Sequence, residues 1–541
     1  MANDPNTSIP SPSAPVWQNW SGNLVHQPAL DKANYYYTPT NITELQQVLV
    51  AAKTAGVTVR VSGQRHSQPP LVLEDNRGAV EQKAKTFVVD LSCYADLGNN
   101  HDQRIVLVPG KNQVTANAGV REDELDAFLS ANKLMLQTVT AGGFFSLGGM
   151  TAVDVHGATI AAPIFAETVS SFTLLLADGT IMTIDEHTPK ENGWSPLQFV
   201  RVSLGGLGIV TSMTIDVLER PQPTTLQGGS ERLRLVDRSA FAEKFELLLG
   251  KHDRVETFFT PYAAAWPGFN NFLALYWDIV KNPAPETHSQ SASASNNACV
   301  LAGKNPPEYG APYLGGIAKY GAEYAQKSQY WGLPTDGAAE VTAYAAFEVI
   351  EPEVAAANLS HSELWLTGAV RVMFMSYYIP LPDLSAKSLG IVWDRLDEVT
   401  KIVTKYDKFH IAAPMEFRFI KSGNSAMSGT FSEAPGNSWF LNLDLIGFIE
   451  KDMASNYNKK LLQFFAEVEQ AWVNKGGFPH NGKMYGFYKP EDNSTSAPFN
   501  PFFLSRLRKR RGPRLEAFNA YRKKLDPNGL FYNDYLRQLL E

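Results

Sequence analysis

Three stretches of this chain carry residue types able to do chemistry. In VTVRVSGQRHS, residues 57–67, the alternation of Val57, Val59 and Val61 reads as a short strand that breaks at Gly63 and delivers His66 just beyond. A polar loop at a strand end can offer backbone N–H groups to a phosphate while an imidazole nitrogen reaches an electrophilic carbon of a bound cofactor. A histidine in a surface turn has the same local pattern. AGGFFSLGGMTAVDVHGAT, residues 141–159, sets Gly142, Gly143, Gly148, Gly149 and Gly157 among small residues, so that backbone can approach a ligand closely. Its spacing matches neither the Walker loop nor GxGxxG, and a glycine-rich loop is as readily structural. MEFRFIKSG, residues 415–423, alternates as a strand and places Glu416 and Arg418 on one face. A carboxylate beside a fixed guanidinium can accept a hydroxyl proton while the cation stabilises the alkoxide as it forms. A cross-sheet salt bridge uses the same two residues.

The elements that position these groups follow from local patterns. Asn41 with Glu44 forms a capping box ahead of ITELQQVLVAAKTAG, whose Ile42, Leu45, Val48, Leu49 and Ala52 keep helical period up to a C-cap at Gly56. That helix feeds the His66 strand. Further strands are expected at 86–91 and 105–108, and a helix at 121–132. SFTLLLADGTIMTI, residues 171–184, is two β runs joined by Asp178-Gly179, a hairpin signal, and SLGGLGIVTSMTI, residues 203–215, begins another strand. These elements define an α+β fold, with an N-terminal unit over 16–221 after a flexible tail at 1–15. A mixed α/β cap is expected over 222–500, and 501–541 returns as an ordered segment that completes the first unit. Residues 282–312 contain SQSASASNNA and several prolines, a stretch too polar to pack, and read as a mobile surface loop.

With 541 residues the chain is too long for one compact core. A net charge of −7 argues against a nucleic-acid partner, which would demand a basic face. The exception is RLRKRRGPR, residues 506–514, either an anion patch or positive rim, or a solvated helix end closed by Gly512-Pro513. Cys93 and Cys299 make no disulfide framework and sit in no metal-ligand spacing, so no metal site is expected. No apolar run approaches the roughly 20 residues of a membrane span. Residues 1–15 are polar and lack a signal-peptide core, fitting the trimmed start of an exported protein or a short tail. The secreted form is favoured over a cytoplasmic one.

Taken in order, VRVSGQRHS, GGFFSLGGMTAVDVHGAT, LLLADGTIMTID and SLGGLGIVTSMTI resemble the flavin-binding domain of the vanillyl-alcohol-oxidase-type flavoproteins over residues 35–217. The resemblance implies FAD held between two α+β subdomains, with the flavin joined covalently to His66. It implies a cofactor lining of Gly63, Gln64, Arg65, Ser67, Ser146, Gly148 and Gly149, with His156, Ile209 and Asn533 as further contacts. PHNGKMYGF, which holds Lys483, resembles the histidine-tryptophan-x-lysine motif of aldonolactone and alditol oxidases, with Asn481 at the tryptophan position. Lys483 would then lie near the flavin. WQNWSGNL, FSLGG and VETFFTPY resemble segments of the covalent-flavin (type II) bacterial cholesterol oxidases. Under that resemblance Glu256 is an active-site carboxylate, Glu416 and Arg418 are the catalytic pair, and Asn442 is a polar residue near the flavin.

The resulting expectation is a two-domain alcohol oxidase that moves hydride from a secondary alcohol to FAD and then to O2, yielding a ketone and H2O2. The substrate expected first is an apolar 3β-hydroxysterol, with enone isomerisation as a further step. The alternatives are a polyol or aldonolactone oxidase, or an oxygen-insensitive flavin dehydrogenase of the same fold. Trp266, Phe269, Phe272, Tyr276, Trp277, Met373, Phe374, Tyr377 and Tyr378 are candidates to line an apolar cavity or to fill the core.

Overall fold

A computed structural model describes residues 13–220, 225–261, 270–281, 299, 303, 335–359, 362–366, 372–406, 411, 413–448 and 459–541. The helix Ile42–Ala55 forms where its period predicts: Leu45, Val48, Leu49 and Ala52 are its buried residues, and the Asn41 side chain accepts from the Glu44 N–H. It leads into the strand Thr58–Val61, which pairs in parallel with Thr86–Val89, itself parallel to Tyr36–Tyr37. The predicted hairpin closes as antiparallel strands Val169–Leu175 and Ile181–Asp185. These join Ile209–Glu219, Gln113–Asn117 and Ile105–Leu107 in a second sheet, with Leu134–Leu136 paired to the end of Ile209–Glu219.

The cap is a seven-stranded antiparallel sheet in the order Thr225–Leu233, Phe272–Val280, Arg254–Phe259, Met415–Lys421, Trp439–Phe448, Val372–Leu381, Phe478–Pro479. Both faces of its central strands are covered. Phe417 points at the helix Arg238–Lys251, with its ring 5.5 Å from Phe245. By the two-residue period, Glu416 and Arg418 turn to the opposite face.

Two sequence readings change in space, and one falls outside the described residues. Cys93 and Cys299, 206 positions apart, are joined by a disulfide, a pairing that spacing along the chain cannot reveal. Most of the 282–312 loop lies outside the described residues, as do Trp266 and Phe269. The basic run is a helix end closed by Gly512-Pro513, as expected, but two of its arginines turn inward and are not solvated. It closes the helix Pro501–Arg511 and opens Pro513–Leu525, with Arg511 and Arg514 buried on Asn481 Oδ1 and Ser428 O.

The last segment returns to the N-terminal unit. Leu530 O accepts from Val59 N, while the Asp526 carboxylate accepts from the N–H groups of Leu530 and Phe531. Among the described residues no helix is long and apolar enough to cross a membrane.

Candidate active site

A single chamber runs from the end of the Thr58–Val61 strand to the polar face of the cap sheet, and both glycine loops line it. At Gly63 they touch. A Cβ there would stand 2.1 Å from Ser146 Oγ, so any larger residue would force the Ser146 side chain to move. A second close approach lies at Gly119, a wall residue missed in the sequence, where a Cβ would fall 1.8 Å from Leu91 O. Arg65 takes a left-handed backbone (φ 62°), and its guanidinium lies over the Trp17 and Tyr36 rings and donates to Tyr36 Oη. The turn thereby presents His66 to the chamber. Its ring stacks on Trp20 at 5.2 Å and meets the Phe145 ring edge-on at 4.6 Å. Burial, aided by the positive charges of Lys483 and Arg121, pushes the imidazole down to about 3, leaving it neutral with a lone pair for bonding.

The cap sheet supplies the other end as two cross-strand rows. Glu256, Arg418, Asn442 and Tyr378 stand in one register, and Phe258, Glu416, Asp444 and Ser376 in the next. Arg418 Nη2 forms ion pairs with Glu256 Oε1 at 2.9 Å and with Glu416. Glu416 is pushed up to about 8, first by burial; Arg418 pulls it down, while Glu256 and Asp444 push it up. Burial thus favours its protonated form, which can donate a hydrogen bond. Asp444 lines the chamber, held by Asn442 Nδ2 on Oδ1 at 3.2 Å, and among the described residues no cation pairs with it.

Lys483 completes the cluster. Its Nζ lies 3.9 Å from the Phe374 ring centroid, and burial lowers its pKa against the opposing pull of Asp444 and Glu416. The turn that carries it is pinned by Asn481, the residue in place of tryptophan. Asn481 donates to Asp154 Oδ2 from both N and Nδ2 and accepts from Arg511 Nη2. His480 accepts from Gly482 N at Nδ1, stacks on Tyr378, and is held neutral by burial.

The chamber brings together Gly63, Gln64, Arg65, His66, Ser67, Ser146, Gly148, Gly149, His156, Glu416, Arg418 and Lys483. It does not bring in the remaining four candidates. Ile209 is a fully buried core residue, and its neighbours Gly208 and Val210 line the wall instead. Asn533 caps the helix Asp534–Leu540 and donates to Pro70 O, a role readable from an asparagine just ahead of DYLRQLL. Asn442 is fully buried, bonded to Ser376 Oγ and Asp444. Glu256 is ion-paired with Arg418 and does not line the chamber. Of the aromatic cavity candidates within the described residues, Phe374 lines the chamber; Phe272, Trp277, Met373, Tyr377 and Tyr378 are core, and Tyr276 stacks on His252.

Residues 33–185 match the family model described as an FAD binding domain. Over 97% of its length the chain is 22% identical to the L-gulonolactone oxidase of Mus musculus, covering 98% of that protein. The chain is an FAD-dependent oxidoreductase. Its backbone-tight loops and neutral, cavity-facing His66 fit that cofactor. The flavoprotein also matches the D-arabinono-1,4-lactone oxidase model over residues 339–539. A D-arabinono-1,4-lactone oxidase of Yarrowia lipolytica is 27% identical over 37% of this chain and 34% of its own. Among solved structures, a solvent-stable cholesterol oxidase superposes with a TM-score of 0.74 at 18% identity over the whole of both chains. A cholesterol oxidase from B. sterolicum gives 0.71 at 16% identity, covering 100% of this chain and 99% of that one. The fold is that of a two-domain α+β flavoprotein.

Proposed function

We propose that this flavoprotein oxidises a hydroxyl-bearing carbon of a small polyhydroxylated substrate, of the aldonolactone or polyol class, with O2 as acceptor and H2O2 as product. The observation that carries this reading is the end-to-end relationship to L-gulonolactone oxidase, 22% over 97% of this chain. It is reinforced by the lactone-oxidase match over 339–539, the region holding Glu416, Arg418, Asp444 and Lys483. This replaces the sterol expected first. A sterol reading draws on the cholesterol-oxidase fold and on Trp20, Phe144, Phe145 and Phe374 in the lining, but a likeness at 16–18% identity speaks for the fold alone.

Bound FAD supplies a two-electron acceptor that O2 can reoxidise. The chain's own groups do the rest. Arg418 and Lys483 place positive charge where an alkoxide develops, Glu416 donates a hydrogen bond, and Asp444 accepts the hydroxyl proton. Glu256 holds Arg418 in place. His66 tethers the flavin, supported by its neutral, cavity-facing ring. The Cys93–Cys299 disulfide supports an oxidising compartment, and with it export.

Peroxide release measured with gulonolactone, arabinonolactone and xylitol against cholesterol decides the substrate class: turnover confined to cholesterol sinks the proposal. Slow reoxidation of the reduced protein by air-saturated buffer would make it a dehydrogenase instead. Acid precipitation tests the tether, with yellow colour retained in the pellet and lost in His66→Ala.

A further inference from the structure

Arg60, in the strand Thr58–Val61, is 4% exposed and forms part of the chamber wall. Its whole fork is engaged. Nε donates to Leu71 O at 2.6 Å, Nη1 to Gly205 O at 2.9 Å and Phe531 O at 2.6 Å, and Nη2 to Leu204 O at 2.6 Å. All four acceptors are neutral carbonyls. Among the described residues no carboxylate pairs with it, and burial lowers its pKa only to about 10, so it is cationic at neutral pH. Buried charges ordinarily persist with a counter-charge beside them. Here the protein offers dipoles and no anion.

The carbonyls it grips belong to an unusual loop. Val202, Leu204 and Gly205 all have positive φ (60°, 55° and 67°), a conformation that is costly for a β-branched valine and persists only where the surroundings dictate it. Ser203, Leu204 and Gly205 line the chamber. Arg60 holds this loop and the C-terminal carbonyl of Phe531 in one grip, so one side chain fixes two remote segments of the wall.

We propose that Arg60 is a positioning residue for the diphosphate of the dinucleotide cofactor. Its positive charge offsets the phosphate negative charges through the chamber wall, and its hydrogen bonds hold the 202–205 loop in the shape that receives them. FAD and riboflavin share the isoalloxazine and differ in the diphosphate and adenosine. The role therefore predicts a loss specific to the charged ligand.

The test uses the full chain carrying His66→Ala, so that flavin exchanges reversibly, with Arg60→Met or Arg60→Lys added. Dissociation constants for FAD and riboflavin come from flavin fluorescence titration at two salt concentrations. Arg60→Met is expected to weaken FAD at least tenfold, to leave riboflavin within about twofold, and to flatten the salt dependence of FAD binding. Arg60→Lys keeps the charge and loses the fork, so it should retain most of the salt dependence and fall between the two; it also serves if Arg60→Met does not fold. Unchanged FAD affinity in both variants, or a parallel loss for FAD and riboflavin, overturns the proposal.

Discussion

Replacing Arg418 by methionine should reveal how the substrate end of the chamber holds its charges. Arg418 is 8% exposed and ion-paired with both Glu256 and Glu416. Arg418→Met keeps much of the side-chain volume and strands two buried carboxyl groups. Removing one partner of a buried ion pair costs about 3–5 kcal/mol, and at roughly 2–4 °C per kcal/mol for a large domain this lowers Tm by about 6–20 °C. The pH dependence follows from the sign of the Glu416 shift. A carboxyl whose folded pKa is raised from 4.5 to about 8 favours the fold while protonated, and that contribution is lost as pH climbs through this interval. Arg418 pulls Glu416 down, so without it the loss extends to higher pH. The Tm deficit of Arg418→Met should therefore be larger at pH 9 than at pH 5.5, measured by near-ultraviolet circular dichroism on FAD-loaded protein. Adding Glu256→Gln to that variant removes one stranded carboxylate and should restore part of the loss, although Glu256→Gln alone destabilises. Equal Tm for wild type and Arg418→Met at both pH values, or strictly additive costs in the double variant, would refute the coupling of Glu256, Arg418 and Glu416.

Three further outcomes are expected. The kcat/KM of the wild type should fall as Glu416 ionises near pH 8, and Glu416→Gln, which cannot ionise, should remove that limb from the pH profile. Lys483→Met should retain FAD by absorbance while losing roughly 10²–10³ in kcat/KM, because the buried cation facing the substrate end is gone. Gly119→Ala forces a methyl against the Leu91 carbonyl at 1.8 Å; the overpacking should cost about 1–3 kcal/mol and reduce the FAD content of purified protein.

Local pattern carried the sequence reading a long way, and its limits have physical causes. The strand and turn before His66, the Asn41 cap, the Asp178-Gly179 hairpin and the shared face of Glu416 and Arg418 are all set by neighbours in the chain, and they stand where predicted. Asn442 and Asp444 also share a face, because they are two apart. Period alone cannot say which lies deeper, and the structure places Asp444 in the chamber and Asn442 behind it. A charged residue amid the valines of VTVRVSG was a legible sign that Arg60 answers to something beyond its strand, but its acceptors come from loops up to 471 positions away. The Cys93–Cys299 bond is long-range in the same sense.

The grip of Arg60 on Phe531 also sets an order of events during synthesis. One side of the cofactor chamber emerges from the ribosome early, while the carbonyl that completes the Arg60 fork follows 471 residues later. At about 5–20 residues per second, that interval is roughly 25–90 seconds. For that time the strand and its guanidinium exist without their closing partner. Loading of FAD into a finished chamber is accordingly a late event, and a nascent chain halted before Phe531 should emerge colourless.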